Sequence, residues 1–173
     1  MFGFAQWLEM TPPSVTIKSI SWIVPLVQSI HIITIGIVFV SLLMIALRVI
    51  GLVRMDQAFG AVMSRFAPWI RKGLVVLALT GATLVLGEPV RELMSLSFWL
   101  KMGLLAIGVT TALAFTRSLG PAALVDGPEP EFSPIAKSAA MATVLLWLAI
   151  IFLGRAIAYD VEVWGSLSLS PRA

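Results

Sequence analysis

Long uncharged stretches, separated by short polar clusters, dominate the pattern along the chain. The first lies between Lys18 and Arg48, and it is longer than the roughly 20 apolar residues that a helix needs to cross a bilayer. Three later stretches are shorter, and they reach that length only if the charged residues at their ends extend to the membrane surface. The pattern predicts four transmembrane helices, at about residues 20–47, 73–90, 98–116 and 138–159.

Shorter amphipathic stretches predict helices that lie on the membrane surface. Phe4, Trp7 and Leu8 share one helical face, which favours a short interfacial helix at the N-terminus. Apolar residues at helical spacing predict a second surface helix over residues 55–66, between helices one and two. Four prolines and three acidic residues predict a loop over residues 120–134. The expected fold class is an all-α integral membrane four-helix bundle with these two short interfacial helices.

Basic residues are denser on one side of the predicted spans. Cytoplasmic loops of membrane proteins carry an excess of Lys and Arg, and alternating spans place seven basic residues on one side and five on the other. We therefore expect a multi-pass protein of the bacterial inner membrane, with its N- and C-termini outside. The inner side holds the densest cluster: Arg48, Arg54, Arg65, Arg71 and Lys72. Tryptophans near the predicted helix ends fit an interfacial belt: Trp22, Trp69, Trp99 and Trp164.

The composition excludes an ordinary soluble domain. Only 12% of the 173 residues are charged, against about 25% in globular proteins, and 59% are hydrophobic. The length suits one transmembrane domain over residues 1–173. With no cysteine, disulfides, iron–sulfur clusters and thiolate metal sites are excluded. The net charge of +3 sits beside the apolar stretches, so it indicates orientation in the membrane and not a nucleic-acid partner.

His31 is the main candidate for chemistry, because an ionisable side chain inside a span is costly and therefore often functional. Gln28 and Thr34 lie about one turn before and after it, where they could orient the ring. Three interpretations remain open. His31 is a hydrogen-bonded packing residue, an axial ligand of haem iron, or a group that handles a proton or binds a metal.

A haem b site would need an axial ligand, an apolar slot and cations near the propionates. His31 supplies a ligand, and Lys101 and Arg155 lie toward the predicted outer side. Trp147, in the middle of helix four, either lines such a slot or belongs to the packed interior. A second axial ligand would be Met102 or His31 of another copy, unless the iron is five-coordinate. Lys101 and Arg155 are equally well explained as side chains that reach the membrane surface.

Small residues recur one turn apart in helices two and three. Such ridges let helix backbones approach closely in a membrane, and they favour tight packing within the bundle or within a homo-oligomer. The pattern does not choose between these two uses. The ridges are formed by Ala78 and Ala82, and by Ala106, Thr110 and Ala114.

A set of motifs runs through the first two thirds of the chain: Pro25, residues 28–31, Gly36, residues 47–51, Pro68-Trp69, Gly73, Gly81, Pro89 and residues 98–101. These motifs resemble those of a large family of uncharacterised bacterial inner-membrane proteins that are distantly similar to copper-resistance D and cytochrome b561-like membrane bundles. The resemblance implies a four-helix membrane bundle with a histidine in helix one. Ala46 stands where the family often has an acidic residue, and a two-haem site with four histidines does not carry over to a chain with one histidine.

The expected function is that of a membrane subunit or accessory protein without catalytic activity of its own. It would work with partners through the bundle and its surface helices, as a homo-oligomer or within a larger membrane complex. The alternative is a b-type haem electron-transfer protein that uses His31. A third hypothesis, transport of a proton, a metal or a small solute, has the least support, because no span is visibly broken or lined by several charges.

Overall fold

A computed structural model describes residues 1–53, 56–119 and 131–169, with the side chains of residues 112–119 excepted. These residues are helical, with no β-strand among them. The predicted loop lies outside the described residues up to residue 130, and Arg54 and Arg172 lie outside them as well. The helices are α1 (Phe2–Glu9), α2 (Pro12–Ser19), α3 (Ile23–Ile50), α4 (Phe59–Gly87), α5 (Pro89–Leu93), α6 (Leu96–Leu119), α7 (Pro134–Ala156) and α8 (Asp160–Trp164).

Three segments are long and apolar enough to cross a membrane: α3, α4, and the segment Pro134–Leu167 that begins with α7. The described residues therefore form an all-helical membrane protein. Helix α6 is a fourth long helix, but its apolar described part, Leu96–Thr111, is shorter than a full span. The structure thus supports three of the four predicted spans directly.

The ends of the long helices follow from local sequence signals. Helix α3 ends at Gly51, which adopts the left-handed conformation (φ 90°) that a residue with a Cβ adopts only at a cost. Helix α7 begins where the Ser133 side chain accepts a hydrogen bond from the Ala136 amide, with Pro134 at the first helical position. Helix α1 covers the predicted N-terminal helix, and a break at Thr11 separates it from α2.

The prediction of a separate surface helix over residues 55–66 is wrong. Residues 59–66 are the first turns of α4, which continues without interruption through Pro68 to Gly87. The reason is tertiary packing. Phe59 and Val62 are buried against Val49 near the end of α3 and Ala140 in α7, so this part of the helix belongs to the core.

The long helices run alternately up and down, and neighbours along the packing order are α4, α3, α7 and α6. The short helices α1, α2, α5 and α8 cluster at one end of the bundle, beside the start of α3 and the end of α4. At the opposite end, the buried Arg48 side chain donates two hydrogen bonds to the Gln57 carbonyl, at 3.2 and 3.0 Å. These bonds close the connection between α3 and α4.

Helices α3 and α4 approach each other most closely along a seam of three contacts spaced two turns apart. Val24 faces Gly87, His31 faces Thr80, and Val38 faces Gly73. The seven-residue spacing on both helices is that of a packing seam between antiparallel helices. A Cβ at Gly87 would lie 3.3 Å from Val24 Cγ2, and a Cβ at Gly73 would overlap Val38 Cγ2. Glycine at these two positions therefore sets the distance between the helices.

We expect Gly73→Ala to destabilise the protein. The added methyl group would collide with Val38, which is fully buried and cannot turn away, and overpacking of this kind costs about 1–3 kcal/mol. Thermal unfolding in detergent micelles, followed by circular dichroism, should show a lower midpoint for this variant.

Gly36→Ala is the matched control, because nothing lies within 4 Å of a Cβ at this exposed position of α3. Alanine is the better helix former, so the midpoint should stay the same or rise slightly. A Gly73→Ala protein as stable as Gly36→Ala would contradict the close approach of α3 and α4.

Candidate functional site

The His31 ring lies in the middle of the seam between α3 and α4, where it is half-buried. Its Nδ1 atom is 2.7 Å from the Thr80 hydroxyl oxygen, and a Cβ at Gly81 would lie 3.6 Å from its Cε1 atom. The hydrogen bond joins residues 49 positions apart in the sequence and therefore depends on the pairing of the two helices.

The hydrogen bonds around Thr80 determine which nitrogen of His31 carries the proton. The Thr80 hydroxyl has a single proton, and it donates that proton to the Val76 carbonyl oxygen at 2.7 Å. It must then accept a hydrogen bond from His31, so Nδ1 carries the proton of the neutral ring. Nε2 is left with a free lone pair, the arrangement in which a histidine binds a metal or accepts a hydrogen bond.

Lys101 lies in the first turns of α6, where its side chain is half-buried. The side chain extends along α7, where a Cβ at Gly154 would lie 3.7 Å from its Nζ atom. The structure therefore places Lys101 between α6 and α7, whereas His31 lies between α3 and α4.

The other candidate residues on α3 and α7 are exposed or have partners of their own. Gln28 is exposed. Thr34 is buried and donates its hydroxyl proton to the Ile30 carbonyl, at 2.7 Å. Trp147 is 3% exposed and packs against Val38 and Ile150 in the core, with its Nε1 atom facing Gly108.

Arg155 points away from the interior. It is exposed, donates a hydrogen bond to the Tyr159 hydroxyl at 3.1 Å, and lies over the Tyr159 ring at 5.1 Å from the ring centre. This contact combines a cation–π interaction with a hydrogen bond one helical turn along the chain. Arg155 is therefore a surface group and does not line the space around His31.

Glu88, Arg91 and Glu92 form a charged cluster at the short helix α5. Burial raises the pKa of the Glu92 carboxyl from its ordinary value of 4.5, while the charges of Lys101 and Arg91 oppose that rise. Arg91 also pairs with Glu88 at 2.5 Å. Glu92 is mostly enclosed, with 13% of its side chain exposed.

Asp160 forms the most extensive polar contact in the described residues. The sequence pattern did not predict this role. Its buried carboxylate accepts hydrogen bonds from the Ser95 hydroxyl (2.8 Å), the Ser97 amide (3.0 Å) and the Ser97 hydroxyl (2.9 Å). The Leu96 amide and the Ser168 hydroxyl bind its other oxygen. Asp160, the first residue of α8, thus caps the start of α6.

The sequence carried two signals for this contact. Ser95 and Ser97 come at the start of one apolar stretch, and Asp160 comes directly after the next apolar stretch along the chain. Serine near a helix start indicates capping, but it does not identify a remote carboxylate. Trp164 completes the arrangement by donating from its indole nitrogen to the Ser97 hydroxyl at 2.8 Å.

The described residues only partly fit a haem or a metal. His31 offers one nitrogen and Lys101 one cation. Trp147 is packed in the core and lines no slot, and Arg155, the second cation expected near the propionates, faces outward. Within the described ranges, no group of three or more His, Asp or Glu residues is placed to hold a metal ion. The described residues offer one imidazole nitrogen between α3 and α4 and, separately, one ammonium group between α6 and α7.

The fold and this site define a helical membrane protein with a single histidine in its interior. The chain belongs to a family of unknown function (DUF6644), whose model matches residues 7–160. The match covers every long helix. No curated protein and no solved structure matches the chain.

We expect Asp160→Ala to loosen the end of the bundle. The variant leaves two backbone amides and three hydroxyl groups without their acceptor, and loss of such charged hydrogen bonds at a helix start costs about 2–4 kcal/mol. Limited proteolysis should cut within residues 160–169 faster than in the unchanged protein, and the unfolding midpoint should fall.

Glu162→Ala serves as the control, since Glu162 is an exposed acidic residue on the same short helix. It should leave both measurements unchanged. Equal cleavage of the Asp160→Ala and Glu162→Ala proteins would show that the carboxylate does not hold this segment.

Proposed function

We propose that the protein is a non-catalytic subunit or accessory protein of a bacterial inner-membrane complex, and that it docks on a partner through the end of the bundle that carries the short helices. We call this end the cap, formed by α1, α2, α5, α8 and the turn Ile157–Tyr159. The observation that carries the proposal is that the cap is held firmly from within while it presents large apolar side chains outward.

Internal contacts fix each part of the cap. Ala5 of α1 is fully buried where α1 packs on α5, and Lys18 of α2 pairs with Glu9 of α1. Helix α2 lies against the end of α4 through Ile17. Asp160 joins α8 to the start of α6. A surface built on such a fixed frame loses little conformational freedom when a partner binds.

The outer face of the cap is apolar. Phe4 and Trp7 are more than half exposed, and their rings stack at 5.7 Å between centres. Val163 and Leu167 are similarly exposed at the C-terminal part of the cap. Aromatic and aliphatic side chains of this kind are typical of the centres of protein interfaces and of helices that lie at the membrane surface.

Four spans and an outward-facing cap complete the proposal. Helix α6 has 24 residues and is about 36 Å long at 1.5 Å per residue, enough for a hydrocarbon core of about 30 Å. The basic residues between α3 and α4 support a cytoplasmic position for the opposite end. The cap and both termini would then lie on the outer side of the inner membrane.

Site-specific photocrosslinking in native membranes tests this docking surface. A benzophenone amino acid at Trp7 or Val163 should give the same discrete protein adduct from both positions, because both belong to one surface. The adduct should be lost when Asp160→Ala is added, since the frame that presents the surface is then loosened.

Two exposed apolar positions provide controls away from the cap. Ile135 lies at the opposite end, at the start of α7, and Val75 lies within α4. Neither should give that adduct. If Trp7 and Val163 crosslink only to lipid, the cap rests on the membrane surface and the docking proposal is wrong.

The alternative function, b-type haem electron transfer, has one supporting observation, the free Nε2 of His31. The proposed distant similarity to copper-resistance D and cytochrome b561-like bundles favours it as well. Against it, His31 is the sole histidine of the chain, and Trp147 and Arg155 do not line a slot beside it. We therefore place this function second.

An absorption spectrum separates the two functions. Protein purified after expression with ample haem should be colourless, because the described residues do not complete a haem site. A Soret band with sharp reduced α and β bands, lost in His31→Ala but kept in Gln28→Ala, would instead establish haem ligation by His31.

A further inference from the structure

We propose that the first turns of α4 bind one anionic phospholipid, with its phosphate between Arg65 and Lys72 and an acyl chain along Val75 and Leu79. We call the part that holds the phosphate the basic face, formed by Arg65, Trp69 and Lys72. It lies at the end of the bundle opposite the cap, so the proposal stands or falls independently of the docking proposal.

The three residues of the basic face lie close together on one side of α4. Arg65, Trp69 and Lys72 are spaced by four and three residues, which places them one above the other within two helical turns, and all three are exposed. Side chains on a helix lean toward its N-terminus, so Lys72 leans toward Trp69 and Arg65. The two cations are about 10 Å apart along the helix axis, a gap that both long side chains can bridge to one phosphate between them.

The polar groups of the basic face have no partners of their own in the described part of the chain. Neither Arg65 nor Lys72 forms an ion pair there, whereas Lys18 and Arg91 of the cap are both paired with carboxylates. The indole Nε1 of Trp69 likewise donates no hydrogen bond within the described ranges. The basic face therefore offers two cations and one N–H donor to an anion from outside the protein.

The tryptophans place the basic face at a membrane boundary. Trp22, just before α3, and Trp69 are both more than half exposed. Because Val24 faces Gly87, the separation of the two tryptophans along the antiparallel helices is about 30 Å at 1.5 Å per residue. The hydrocarbon core of a bilayer has the same thickness, about 30 Å, and exposed tryptophans are typical of its two boundaries. Lipid phosphates therefore lie near the level of Trp69, between the two cations.

An apolar track continues from the basic face into the membrane. Val75 and Leu79 lie one and two turns beyond Lys72 on the same side of α4, and they are 61% and 66% exposed. Ala78 and Ala82 beside them are also exposed, and their short side chains let an acyl chain lie close to the helix backbone. The ligand that fits the whole surface carries a phosphate at one end and a hydrocarbon chain at the other.

The charge of the basic face selects an anionic phospholipid over a zwitterionic one. Phosphatidylcholine carries an ammonium group beyond its phosphate, at the level where Arg65 would repel it, whereas phosphatidylglycerol has only hydroxyl groups there. The guanidinium of Arg65 can bind two phosphate oxygens at once, and the ammonium of Lys72 adds a second positive charge. Phosphatidylglycerol is therefore the lipid that matches this surface.

Native mass spectrometry of the full-length protein can measure this preference. The protein is released from detergent micelles that contain equal amounts of palmitoyl-oleoyl phosphatidylglycerol and phosphatidylcholine. The first lipid bound should be phosphatidylglycerol, with at least tenfold preference. Arg65→Gln and Lys72→Gln should each reduce that preference about fivefold, the effect of one basic residue near an anionic lipid headgroup, whereas Lys72→Arg should keep it. Circular dichroism checks that each variant is folded.

Arg71→Gln is the matched control. Arg71 is exposed at the same depth as Lys72, but it lies about 160° around the helix from Trp69 and therefore outside the basic face. Its removal should change the preference less than twofold. A loss as large as that in Lys72→Gln would show that the preference comes from the total charge of this end, and it would overturn the proposed site.

A photoactivatable phosphatidylglycerol tests the apolar track. With a diazirine near the middle of one acyl chain, illumination in nanodiscs should label chiefly the tryptic peptide that begins at Gly73 and contains Val75 and Leu79. Labelling spread evenly over the long helices would show general solvation by lipid and would contradict the proposal. Millimolar glycerol phosphate should not displace the bound lipid, and displacement would identify the surface as a site for free phosphate instead.

Discussion

The close packing of α3 on α4 is the constraint on which the rest of the structure depends. Gly73 and Gly87 remove side chains at two points of the seam, and the helices approach until Val38 and Val24 fill the space. Thr80 lies between these points, two turns from each glycine, and only this spacing brings its hydroxyl within 2.7 Å of His31. The hydrogen bond between His31 and Thr80 thus depends on the distance between two backbones, so a methyl group at Gly73, two turns away, would disturb it.

A second constraint works at the cap, where the start of α6 is buried and its first amides need hydrogen-bond partners within the protein. A helix leaves its first amides unbonded, and in a membrane protein these groups must find partners inside the protein. Asp160 supplies that partner for α6 and receives hydroxyl groups from both sides of the turn. A buried carboxylate is tolerated there because every contact that it makes is a hydrogen-bond donor. The cap therefore combines a polar interior with an apolar exterior, the reverse of a soluble domain.

The sequence predicted the features that depend on local composition and missed those that depend on pairing between distant residues. Uncharged stretches are sufficient to locate the long helices, and the Thr11-Pro12 break separates α1 from α2. The start of α4 was misplaced because Arg65, Arg71 and Lys72 interrupt the apolar pattern, although Phe59 and Val62 are core residues. The sequence predicts Gln28 and Thr34, on the same helix, as partners of His31, whereas the structure pairs His31 with Thr80 of α4. Thr80 and Asp160 act across 49 and up to 65 residues, and no periodicity within one helix reveals such pairs.

The position of Asp160 in the chain has a consequence for biosynthesis. The amides at the start of α6 leave the ribosome about 65 residues before the carboxylate that binds them. At about 5–20 residues per second, that interval lasts roughly 3–13 s. During this time the first turn of α6 depends on water or on the insertion machinery for hydrogen bonds, so the cap reaches its final form only after Asp160 has been made. A nascent chain that stops short of residue 160 would present an open helix end, which offers quality-control proteases a direct way to recognise incomplete copies.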